Sequence, residues 1–136
     1  MRKIFVAAAA GIMAMGLAAV PAQAATGARE TTTATTKNFT IWSPLKEGYL
    51  KGKLYARYGH MYFTGVVVDT TDGPRDYTFA EVRYVDRNNH PNLKRSRNIT
   101  SAEYRFKPIL WQENFEARVC EGNPSEDECG PWVNLF

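Results

Sequence analysis

The chain has 136 residues, 15.3 kDa and 17 Lys+Arg against 14 Asp+Glu, a size that accommodates one domain and leaves little room for a second. Its aromatic content of 12% excludes a disordered chain. The formal charge of +3 owes two units to Arg2 and Lys3, so the remainder carries only +1 and lacks the basic footprint of a nucleic-acid binder.

Those two cations open a leader. Residues 4–20 are an apolar run rich in Ala, Met and Gly, Pro21 breaks it, and Ala22-Gln23-Ala24 is a small-x-small cleavage site. This is the pattern of a signal peptide over 1–24, cut after Ala24. No basic stop-transfer cluster follows, so the mature protein is expected to have no membrane span and to be secreted. Residues 25–37 contain six threonines and no large apolar side chain, which predicts a flexible tail.

From Asn38 to the end at 136 the pattern has period two. In 48–58, Leu50, Gly52, Leu54, Ala56 and Tyr58 share one face, and Tyr49, Lys51, Lys53, Tyr55 and Arg57 share the other. Gly59-His60 reads as a turn and 61–68 as a second strand rich in β-branched residues. Residues 69–74, with Asp72-Gly73, read as a hairpin connection to a third strand over 77–85. There Ala80, Val82 and Tyr84 oppose Glu81 and Arg83. A polar loop over 86–97, strands over 98–106 and 109–120, an acidic loop over 121–131 and a short strand over 132–136 complete the chain. In the 109–120 strand Trp111, Phe115, Ala117 and Val119 form the buried face. With no helical period, this predicts an all-β fold: a small antiparallel β-sandwich or barrel.

The two cysteines, Cys120 and Cys129, lack a C-x-x-C spacing and have no His cluster near them, so in an oxidising compartment they read as one disulfide. Charge is segregated along the chain. Residues 37–107 carry 13 basic and 7 acidic groups, and 108–136 carry one basic and six acidic.

The run 65–73, then Val82-Arg83-Tyr84, Ala117-Arg118-Val119-Cys120 and Asp127-Glu128-Cys129-Gly130-Pro131-Trp132 resemble small secreted proteins of actinobacteria such as Streptomyces. The resemblance implies an exported β-rich fold with one C-terminal disulfide, and it implies no activity.

Catalytic chemistry has few candidates. A small secreted nuclease or other hydrolase could use His60 or His90 with Glu81 or Glu103 and a clamp from Arg83 or Arg105, but no spacing singles these out. Asp69, Asp72 and Asp76 lack calcium-loop spacing and read as turn formers, so no metal or cofactor is expected. The disulfide-clamped 120–129 loop has the rigidity of a protease inhibitor's loop but no specificity residue at its centre.

The remaining surface of interest is Tyr49, Lys51, Lys53, Tyr55 and Arg57: two aromatic and three cationic side chains on one strand face. At roughly 3.3 Å per residue the tyrosines stand about 20 Å apart, which suits an extended anionic ligand. The expectation is a monomeric, non-enzymatic protein that binds a cell-surface polymer or an extracellular protein.

Overall fold

The computed structural model describes residues 35–70 and 73–136. The leader and nearly all of the Thr-rich tail lie outside the described residues. Nine strands appear: β1 (Lys37–Trp42), β2 (Gly48–Arg57), β3 (His60–Asp69), β4 (Tyr77–Val85), β5 (Pro91–Arg95), β6 (Glu103–Trp111), β7 (Glu113–Asn123), β8 (Glu126–Cys129) and β9 (Val133–Asn134). They form two antiparallel sheets packed face to face. One has the order β1-β2-β3-β6, and the other has β5-β4-β7-β8, with β9 also pairing β7. The described residues contain no helix long and apolar enough to cross a membrane. The fold is a small β-sandwich, and Lys37, placed by its sequence in the tail, is the first residue of β1.

The β2–β3 hairpin is the longest pairing in the first sheet, running from Gly48↔Asp69 to Arg57↔His60. Its two-residue turn is Tyr58-Gly59, both at positive φ (51° and 73°). That is the turn whose twist matches a right-handed strand pair. Tyr58 consequently leaves the core face and is exposed. Gly52 and Gly65 face each other across this hairpin, and the Phe63 ring lies over the pair. A Cβ at Gly65 would stand 2.6 Å from Phe63, and one at Gly52 would stand 2.6 Å from Phe39. The glycines thus make room for the Phe39–Phe63 stack (6.1 Å, 19°).

The core is the sum of both inner faces. Leu50, Leu54, Phe63, Val67, Phe106 and Trp111 come from the first sheet, and Ala80, Val82, Tyr84, Phe115, Ala117 and Val119 from the second. Phe63 and Phe115 meet across the layers at 4.8 Å. Each of the side chains expected to be buried in 109–120 is buried.

Further local expectations need correction. The 69–74 segment does not join a hairpin. β3 already has β2 and β6 as neighbours, so the chain crosses to the other sheet. The crossing is tied by Thr70 N to Glu47 O and Asp76 N to Gly122 O. The 86–97 segment is not all loop, because 91–95 form β5. As an edge strand with few buried side chains, it has no apolar alternation to announce it. The strand expected over 98–106 begins at Glu103 and runs to Trp111. The strand expected over 109–120 is broken at Gln112, whose N–H donates to Val85 O while Asn114 takes φ 52°. There the chain changes sheets, so Trp111 and Phe115 face the core from opposite layers.

The acidic loop expected over 121–131 is largely the β7–β8 hairpin, closed by Cys120–Cys129 with Cα atoms 4.0 Å apart. Asn123 Oδ1 accepts from the N–H groups of Ser125 and Glu126 and shapes its turn. The R-V-C and C-G-x-W pieces form one clasp. Gly130 N donates to Val119 O, the disulfide joins the adjoining residues, and the guanidinium groups of Arg83 and Arg118 both lie against the Trp132 ring (4.2 and 4.5 Å). Glu121 is fully buried, and its Oε1 accepts from Leu45 N at 2.7 Å, which pins the β1–β2 loop to β7.

Asp86 organises the β4–β5 turn. Its Oδ1 accepts from His90 N and Asn88 N at 3.0 and 2.9 Å, and its Oδ2 accepts from Asn92 Nδ2. The bond from His90, then those from Asn88 and Asn92, hold its carboxyl below the usual aspartate value. A depressed folded value means this contribution is complete above the unfolded pKa of about 3.9 and is lost as pH falls through the lower folded value. In an NMR acid titration the Asn88 and His90 amide signals should move with a midpoint below about 3.9. A midpoint at or above that value would remove Asp86 as the organiser.

Candidate binding face

All five side chains selected from the sequence lie on β2, at positions whose alternate neighbours, Leu50 and Leu54, are buried. Tyr49, Lys51, Lys53, Tyr55 and Arg57 therefore share the outer face of the first sheet. The register supplies neighbours the sequence did not. Trp42 of β1 pairs with Tyr49, and the rings meet at 4.8 Å. Tyr62 of β3 pairs with Tyr55, and those rings stack at 5.6 Å. An aromatic pair thus stands near each end of β2.

Between the pairs lies a shallow depression of about 330 Å³, whose polar lining includes Lys51, Lys53, Asn38, Thr64 and Arg105. Lys51, Val66 and Arg105 are consecutive partners across β2, β3 and β6. With strands about 4.8 Å apart, the two cations bracket Val66 at roughly 10 Å between backbones. Lys53 Nζ lies 5.2 Å from the Tyr55 ring, and the Arg57 guanidinium lies 4.9 Å from Tyr58.

The ion pairs explain why this face is cationic. Four of the six carboxylates of the C-terminal arm are engaged by arginines of the second sheet and its loops. Glu116 pairs with Arg83, Asp127 with Arg95, and Glu126 and Glu128 with Arg75. Arg118, the arm's one cation, pairs with Glu81. The Arg83–Glu116 hydrogen bond holds the Glu116 carboxyl below its ordinary value. On the first sheet, Glu103 pairs with Arg105. Lys51, Lys53 and Arg57 have no carboxylate partner among the described residues. Charge segregated in the chain is thus largely cancelled on the second sheet, where the acidic arm meets arginines of the preceding segment, while the β2 cations keep no carboxylate partner among the described residues.

The residues considered for hydrolysis are dispersed. His60 pairs with Arg57 at one end of β3, whereas Glu103 pairs with Val68 near the other, eight residues and about 26 Å along the strand. Glu81 and Arg83 lie on the second sheet in ion pairs, and His90 sits beside the β4–β5 turn. Asp69 ends β3 and Asp76 precedes β4, while Asp72 lies outside the described residues. Glu81, Cys120 and Cys129 converge, but both sulfurs are in the disulfide and offer no thiolate to a metal.

Tyr62 was missed because the turn, expected at Gly59-His60, falls one residue earlier and His60 is already in β3. Placing the turn at Tyr58-Gly59 sets Arg57 opposite His60 and Tyr55 opposite Tyr62. Trp42 and Arg105 carried no such signal, because their neighbours are fixed only when β1 and β6 join the sheet. No protein-family model, curated protein or solved structure matches the chain.

Proposed function

We infer that the protein is an exported, monomeric, non-enzymatic β-sandwich that holds an extended anionic polymer of the cell surface along the outer face of its first sheet. Export rests on the leader and on the paired cysteines, which fit an oxidising compartment. The observation that carries the binding reading is the partition of charge: among the described residues Lys51, Lys53 and Arg57 have no carboxylate partner and stand beside Tyr55 and Tyr62, while four acids of the C-terminal arm pair with arginines of the opposite sheet and its loops. The aromatic pairs give flat stacking area at low entropic cost, and the lysines give charge attraction. Single exposed ion pairs contribute about 0–1 kcal/mol, so affinity comes from several contacts on one chain.

Alginate-coated beads test this. The protein should sediment with them at about 0.1 M salt and be released at about 1 M, where the Debye length falls to roughly 3 Å. Lys51→Glu/Lys53→Glu should abolish retention at the lower salt. If that variant sediments like the wild type, the face is an ordinary solvated strand surface.

A further inference from the structure

The two sides of the sandwich differ. On one side β1 meets the C-terminal segment, where Lys37 Nζ donates to Leu135 O at 2.8 Å. On the other, the edge strands β5 and β6 flank a cleft of about 510 Å³. That is within the roughly 300–1,000 Å³ of small-molecule sites. Its floor includes Tyr84, Phe106 and Ile109, the first two belonging to the buried core and the third half-buried against it. Its rim carries Lys94, Arg95, Arg105 and Lys107, of which Arg95 pairs with Asp127 and Arg105 with Glu103, and no carboxylate of the described residues lines the cleft itself. Lys94 pairs with Val82, a buried core position, so it sits on the side of β5 that faces the cleft. Lys94 and Lys107 have no ion-pair or hydrogen-bond partner among the described residues.

We propose that this cleft is a binding site for a single amphipathic anion, an acyl chain with an acidic head, with the chain on Tyr84, Phe106 and Ile109 and the head between Lys94 and Lys107. An apolar floor with unpaired cations at its mouth matches both halves of such a molecule. An added peptide strand fits less well. Pro108 lacks an N–H and lies at the β-bulge where the β3–β6 register shifts, so the β6 edge offers no continuous ladder. Lys94, pointing inward from β5, further opposes strand addition. The site is separate from the β2 face. Arg105 borders both, so it is left unchanged in the test.

The probe is laurate below its micellar concentration, followed by calorimetry and by amide shifts of the full mature chain. Laurate should bind saturably at one site, at least about tenfold more tightly than hexanoate, because affinity grows with buried apolar area. It should shift Lys94, Lys107 and Ile109. Lys94→Glu/Lys107→Glu alters two exposed side chains and should retain the wild-type melting curve while binding about tenfold more weakly or worse. Lys51→Glu/Lys53→Glu should bind laurate like the wild type, so that failure of the polymer reading and failure of this one are told apart. Equal binding of neutral dodecyl maltoside, or undiminished binding by the Lys94/Lys107 variant, would overturn the proposal. Capture by phosphatidylglycerol vesicles without binding of monomeric laurate would make the cleft a membrane contact and would also overturn it.

Discussion

Trp111→Ala is expected to destabilise the domain by about 3–5 kcal/mol, a large part of the roughly 5–15 kcal/mol that a domain of this size commands. Trp111 is 1% exposed, the largest of the fully buried side chains, and stands at the end of β6, just before the chain leaves for the other sheet. Its ring meets Phe115 at 5.2 Å and Phe136 at 4.8 Å, so truncation opens a cavity bordered by β6, β7 and the C-terminus at once. The indole N–H has no protein acceptor among the described residues. Trp111→Phe keeps most of the ring volume and removes that unsatisfied donor, so it should cost far less than alanine. Urea denaturation followed by circular dichroism measures both. Equal losses for Phe and Ala would show that the indole's full shape, and not buried aromatic volume, is what the site requires.

Removal of the disulfide by Cys120→Ser/Cys129→Ser should cost about 2–3 kcal/mol, the unfolded-state entropy of a closed loop of about ten residues. The pair is a direct cross-strand pair between β7 and β8, nine residues apart in sequence. Its bond therefore joins strands that the Asn123 turn already holds together. The effect should appear as a lower urea midpoint with at most a small rise in slope, since opening so short a loop exposes little additional surface in the unfolded chain. An unchanged midpoint would mean that the hairpin's hydrogen bonds already confine the unfolded segment. Free thiols titrating in the native oxidised protein would contradict the bond itself.

The legible part of the fold is what alternation encodes. β2 and β3 each turn one face to the core, so Leu50, Leu54, Phe63 and Val67 recur at multiples of two, whereas β4 buries Phe79 and Glu81 on its other face as well as Ala80 and Val82. The candidate face followed from the same rule, because Lys51 and Lys53 fall between Leu50 and Leu54. β5 was missed because Pro91–Arg95 is an edge strand whose exposed side chains on both faces show no apolar period. The break at Gln112 was missed because Trp111 and Phe115 preserve the parity of a continuous strand while belonging to different sheets. Glu121 shows the converse error: an acid in an acidic stretch is fully buried, since the Leu45 N–H that satisfies one oxygen comes from 76 residues away.

By itself the amino-acid sequence determined the all-β class, the buried faces of the long strands, the cysteine pair and the aromatic-cationic side of β2. Each of these is local, set by which way successive Cβ atoms point or by the only two cysteines present. Only the tertiary structure decided that β3 and β4 part company, that β6 lies beside β3, and that Arg105 joins Lys51 around Val66. It alone brought four acids of the C-terminal arm to arginines of the second sheet and its loops, leaving the β2 lysines without a carboxylate partner among the described residues, and opened an apolar cleft between β5 and β6. Strand partnership is a long-range choice. It depends on how whole faces bury against each other, and alternation within one strand is the same whichever sheet receives it.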